Sequence, residues 1–167
     1  YGTYRAMEEA YKSGKLRAIG VSNFYPDRLV DLCQFVEVTP AVNQVETHVF
    51  QQQKAAHEYM KKYGVQHESW GPFAEGRKDF FSNPVLTEIG AKYGKSSAQV
   101  ALRYLLQSDV VVIPKSTHKE RMEQNFDVFD FTLQDEDMKA IAALDEGESL
   151  FFSHYDPATV EMLTNMG

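Results

Sequence analysis

The segment Ile113–Phe126, IPKSTHKERMEQNF, sets Lys115 and Arg121 on either side of an expected helix start near Lys119, with Ser116 just after the lysine. The first N–H groups of a helix have no acceptor within it and carry the positive end of its dipole, so such a start attracts an anion. Arginine grips a phosphate through two hydrogen bonds, and lysine adds a point charge. The plainer reading of the same pattern is a solvated, charged helix start.

Three other segments offer chemistry: Gly20–Phe24 (GVSNF), Asn43–His48 (NQVETH) and Glu68–Phe73 (ESWGPF). Ser22, Asn23 and Gln44 carry donors and acceptors suited to a carboxamide, although such residues also serve as turns and caps. Trp70, the only tryptophan, precedes Gly-Pro. Its ring there either stacks on a flat heterocycle or fills the core. Glu46 and His48 share a strand face, but no third or fourth ligand with metal spacing accompanies them. Ser22 lacks the strand–G-x-S-x-G–helix setting of a hydrolase nucleophile. No G-x-G-x-x-G follows a strand, which argues against a Rossmann domain.

These segments fall at the ends of expected strands. Helices are predicted over 3–13, 26–35, 51–63, 84–93, 98–107, 119–126 and 134–144, with a short one starting at Asp156-Pro157 in the tail. Pro26 suits the first position of its helix, Gly64 a C-terminal stop, and Ser96 or Ser97 an N-cap. Strands are predicted over 16–21, 40–46, 65–70 and 110–114. Strand–helix–strand units with such connections imply a parallel sheet. No linker or low-complexity stretch interrupts it, so 1–167 reads as one domain. Four parallel strands leave two open edges, and a complete (β/α)8 barrel takes ~250 residues. The expected fold is therefore α/β, part of a TIM barrel, with strands that look like the fifth to the eighth. Barrel sites lie at the C-terminal ends of strands, where all four segments fall.

Composition bounds the partners. The 167 residues are 43% apolar and 13% aromatic, enough for a folded core. The net charge of −7 argues against general nucleic-acid binding, so an anionic ligand needs a local site. No run approaches the ~18 apolar residues of a membrane span, and no signal peptide opens the chain. The single cysteine, Cys33, rules out an internal disulfide framework and suits a reducing cytoplasm. It reads as a buried structural thiol.

Together, GVSNF, NQVETH, ESWGPF and IPKSTHKERMEQNF, in that order and spacing, resemble the aldo-keto reductase family. The resemblance covers essentially the whole chain from TYRAMEEAYKSGKLRAIGVSNF onward. It implies an NADPH-dependent reductase of small aldehydes or ketones, with this chain as the C-terminal, cofactor-binding half of the barrel. Ser22, Asn23 and Gln44 would then hold the nicotinamide carboxamide, and Trp70 would stack on its ring. Gly71 and Phe73 would line the pyrophosphate path. Lys115, Ser116, Thr117 and Arg121 would grip the 2′-phosphate, with Gln124 and Asn125 near adenine. Gln124 departs from the Glu of many members. The family's catalytic Asp, Tyr, Lys and His would lie upstream of Tyr1, so 1–167 alone is expected to be inactive. Its partner would be a missing N-terminal half-barrel or a second copy joined through the open edges. The alternative is a non-catalytic nucleotide-binding scaffold or interaction subunit. In this family the C-terminal loop helps shape the substrate pocket, and Phe151, Phe152 and His154 either do so here or cover the barrel's outside.

Overall fold

The computed structural model describes residues 1–166. Helix α1 (Gly2–Lys12) precedes β1 (Val21–Ser22), α2 (Pro26–Phe35), β2 (Val42–Glu46), α3 (Lys54–Tyr63) and β3 (Gln66–Trp70). A kinked 3-10 segment (Ala74–Ser82) leads to α4 (Pro84–Tyr93), α5 (Ser97–Gln107) and β4 (Val111–Val112), then α6 (Lys119–Phe126), α7 (Asp135–Ala142) and α8 (Pro157–Thr164). The four strands form one sheet in the order β1-β2-β3-β4, every pair parallel. Each connection is helical, so the sheet is wound in one direction as barrels are.

Local signals set the elements. Pro26 occupies the first turn of α2. Ser96 and Gln99 form a reciprocal capping box on α5, and Asn83 caps α4 by accepting from the Leu86 N–H. Gly64 ends α3 at φ 68°, a left-handed conformation that a Cβ disfavours. Helix α5 is the spine of the larger core, to which Val100, Ala101, Tyr104 and Leu105 contribute buried side chains. A second core joins Leu29 of α2, Val45 of β2, and Ala56 and Met60 of α3. Cys33 packs at its margin, where burial raises the thiol pKa.

Strand register decides which side chains share a face. Ser22, Gln44, Glu68 and Val111 lie in one row across the sheet. Val45 faces the helices, so with the two-residue period of a strand Gln44 and Glu46 face the opposite side. Val111 and Ile113 remain exposed, as do Met122, Phe126 and Phe129 of α6 and the segment after it. At the first strand, Tyr4, Met7, Val21, Phe24 and Leu32 line an open cavity of about 490 Å³. No helix among the described residues is long and apolar enough to cross a membrane.

Several boundaries differ from expectation. The first strand is confined to Val21–Ser22 rather than 16–21, because it has a neighbour on one side only and Leu16 is exposed. The last strand shortens likewise to Val111–Val112. Helix α3 starts at Lys54, since Gln51 pairs with His48 in an antiparallel bridge and Gln53 adopts φ 54°. Helix α7 covers Asp135–Ala142 rather than 134–144.

Gly90 of α4 packs against the turn into α5, and a Cβ there would lie 2.3 Å from the Lys95 carbonyl oxygen. Main chain cannot yield as a side chain can. The Gly90→Ala variant is therefore expected at the upper end of the ~1–3 kcal/mol cost of overpacking, exceeding the ~1 kcal/mol that alanine gains in a helix. Urea denaturation should show a lower midpoint at unchanged slope.

Candidate functional site

Trp70 is the last residue of β3, and its indole N–H donates to Asn23 Oδ1 at 2.8 Å. Asn23 can reach it because its backbone is left-handed, φ 57°, a conformation asparagine tolerates. The turn carrying Asn23 is held by Asn43, whose amide donates to the Phe24 carbonyl (2.7 Å) and accepts from the Phe24 N–H (3.3 Å). The Gln44 carbonyl accepts from the Asn23 N–H (2.8 Å) and the Ser22 hydroxyl (3.0 Å). The Gln44 side-chain amide donates to Glu68. Ser22, Asn23, Gln44 and Trp70 thus form one polar cluster around a half-buried indole.

A second cluster follows β4. Lys115, Ser116, Thr117, His118, Arg121, Gln124 and Asn125 line a cleft of about 620 Å³ together with Phe73, Phe81, Ser96, Ser97 and Ala98. The starts of α5 and α6 therefore converge on one cavity. Among the described residues neither Lys115 nor Arg121 forms an ion pair. Phe73 lies three residues beyond Trp70, so Gly71 to Phe73 links the two clusters along the chain.

Sequence reasoning missed how the C-terminal segment covers the indole. The rings of Phe151 and Phe152 lie 5.2 and 6.2 Å from that of Trp70, the latter nearly parallel at 28°. The Arg77 guanidinium sits 4.2 Å over the Phe151 ring. The buried Glu46 carboxylate accepts from the Ser149 hydroxyl, the Leu150 N–H (3.0 Å) and His48 Nε2 (3.0 Å). His48 Nδ1 accepts from the N–H groups of Phe50 and Gln51, so its proton resides on Nε2 and is given to Glu46. Burial alone would raise the Glu46 pKa; the donors outweigh it and hold the carboxyl below its ordinary value. The pair weighed and set aside as metal ligands in the sequence is thus a hydrogen-bonded anchor. Only the tail's length and aromatic character hinted at this in the sequence.

Residues 2–146 match the sequence profile of the Aldo/keto reductase family. The chain belongs to the aldo/keto reductase family. It is 49% identical over 146 residues to a glyoxal reductase of Bacillus subtilis, a match spanning 87% of this chain and 52% of that protein. It superposes with a TM-score of 0.89 on an aldo-keto reductase from a deep-sea metagenome library, at 45% identity, covering 92% of this chain and 57% of the other. An aldo-keto reductase solved with NADPH superposes with a TM-score of 0.83 at 36% identity, covering 88% of this chain and 48% of the other. The chain spans about half the length of the relatives it matches. Its parallel α/β sheet matches those of its reductase neighbours.

One buried polar group lies away from both clusters of this reductase fold. His67 of β3 is hydrogen-bonded through Nε2 to Thr47 Oγ1 (2.7 Å) and through Nδ1 to His57 Nδ1 (3.0 Å). The Thr47 hydroxyl proton goes to the Val45 carbonyl, so Thr47 accepts from His67 Nε2–H. That leaves His67 Nδ1 as the acceptor from His57. Burial, reinforced by His57, lowers the His67 pKa from 6.5 to about 4. Between those values the unfolded chain binds more protons than the folded one, so stability is full above pH 6.5 and falls as pH drops toward 4. The drop from 6.5 to about 4 corresponds to roughly 3 kcal/mol. Chemical denaturation across this window should show that decline, and a His67→Gln variant should flatten it.

Proposed function

We propose that this chain is the nucleotide-binding, C-terminal half of an NADPH-dependent reductase of small carbonyl compounds. It comprises strands five to eight of the barrel with their helices, as a single partial domain. The observation that carries the reading is the cleft where Lys115 and Arg121, without acidic partners among the described residues, meet the starts of α5 and α6. Two cations at a helix start suit the 2′-phosphate that distinguishes NADPH from NADH. In a chain of net charge −7 this local site, not the overall field, must hold the dinucleotide. The likeness to a glyoxal reductase and to a reductase solved with NADPH supports the same reading.

Under this reading NADPH supplies a hydride, and the chain's residues hold the cofactor. Lys115, Ser116, Thr117 and Arg121 take the 2′-phosphate, Gln124 and Asn125 the adenine, and Gly71 and Phe73 the pyrophosphate path. Ser22, Asn23 and Gln44 take the carboxamide. For Asn23 the side-chain nitrogen is the donor on offer, because its oxygen already holds the indole of Trp70. Trp70 supplies an apolar face for the nicotinamide. The proton for the carbonyl oxygen comes from outside residues 1–167. The hydroxyls of Tyr4 and Tyr104 are committed to Val38 and Gln52, and that of Tyr93 to Asp137. An N-terminal half-barrel, or a second copy, covers the two open strand edges.

Titrations of NADPH and NADH test the phosphate site. Lys115→Ala and Arg121→Ala should each weaken NADPH binding by about tenfold or more, since each removes a charge-assisted hydrogen bond, and leave NADH nearly unchanged. Equal losses for both cofactors would remove the 2′-phosphate assignment. Residues 1–167 alone should show no aldehyde-dependent NADPH oxidation and should self-associate in sedimentation velocity; turnover at reductase-like rates, or a well-folded monomer at high concentration, would contradict the half-barrel reading.

A further inference from the structure

We infer that Glu46 is a positioning residue for the carbonyl substrate: its buried carboxylate pins Ser149 and Leu150, and so holds Phe151 and Phe152 across Trp70 as one wall of the pocket. The inference rests on the reductase reading proposed above. Glu46 and Trp70 are register partners on adjacent strands, so anchor and indole sit side by side. Glu46 is only 3% exposed, and a carboxylate taken from water is costly unless hydrogen-bonded. Two of its three donors come from the tail, the Ser149 hydroxyl and the Leu150 N–H. If the tail lifted away, Glu46 would keep His48 alone.

Ser149 does double duty. While its hydroxyl donates to Glu46, its oxygen accepts from the N–H groups of Phe151 (3.1 Å) and Phe152 (3.0 Å). The hydroxyl therefore sets the turn that aims both rings at the indole. Farther on, the His154 N–H donates to the Tyr25 hydroxyl at 3.4 Å, and the Tyr155 ring packs 4.5 Å from that of Tyr25. The segment is thus a strap, tied firmly at Glu46 and loosely at the start of α2. Its aromatic middle packs against the ring proposed to cover one face of the nicotinamide, so the strap borders the site whose open face must receive a reacting carbonyl.

The full-length protein carrying Glu46→Gln, Ser149→Ala or the conservative Ser149→Thr tests this. Glu46→Gln and Ser149→Ala should raise the KM for a small aldehyde about tenfold while kcat shifts less than ~3-fold and the NADPH Kd less than ~2-fold. Ser149→Thr should stay near wild type. Without ligand, amide hydrogen exchange over 149–155 should quicken in the first two variants. Unchanged KM and exchange in both would overturn the inference, as would a rise in the NADPH Kd matching that in KM, which would assign the strap to the cofactor. If the unmodified protein neither binds NADPH nor reduces an aldehyde, the reductase reading fails, whereas unchanged exchange removes the anchor itself. Should Glu46→Gln not fold, Ser149→Ala carries both readouts.

Discussion

The parallel pairing of β2 with β3 is the constraint on which the site end of the molecule depends. It runs for five residues, from Val42 opposite Gln66 to Glu46 opposite Trp70, and is the longest pairing in the sheet. Because strand side chains alternate, this one register assigns every role. Val45, His67 and Ser69 are buried, with Val45 against α2 and α3, while Gln44, Glu68 and Trp70 keep partial exposure. A slip of one residue would exchange the two sets. On β2 it would bury Gln44 among apolar side chains; on β3 it would bury Glu68 and detach Trp70 from Asn23.

Polar groups buried around this pairing are consistently satisfied, which limits how the site can move. Asn43 fixes the turn of Asn23, the Thr47–His67–His57 chain joins β3 to α3, and Glu46–His48 ties the tail. An unpaired buried group is expensive, so each network permits essentially one arrangement of the segments it joins. Rigidity of this kind suits a site that must hold an aromatic ring at a fixed distance from a reacting atom.

The cation cluster is organised differently. Helix α6 has no buried residue, and Lys115 and Arg121 lie on a surface that the core does not clamp. Their position comes from the helix start and from the neighbouring start of α5, itself fixed by the Ser96–Gln99 capping box. Under the proposed reading, nucleotide recognition would be split between a rigid polar corner at Trp70 and a charged rim open to solvent. Apolar surface at the cavity beside Tyr4, Val21 and Phe24 marks the flank of β1, where the sheet has no further strand among the described residues.

Most elements were legible in the sequence because their signals are local. Pro26, Asn83-Pro84, Ser96 and Asp156-Pro157 begin helices, and Gly64 ends one, as chain-neighbour sterics and capping dictate. The order of GVSNF, NQVETH, ESWGPF and IPKSTHKERMEQNF was enough to identify the family. Edge-strand lengths were not legible, since an edge residue pairs only where one neighbour allows it. Nor was the meaning of Glu46 and His48: two residues apart and without further ligands they pointed to no definite role, and only the return of Ser149 from 103 positions away made them an anchor. The chain's own pattern determined which segments become helices, which become strands, and which residue types crowd the strand ends. Tertiary structure alone decided what those ends touch, because a contact between residues far apart in sequence depends on how the whole sheet is wound, not on any local preference.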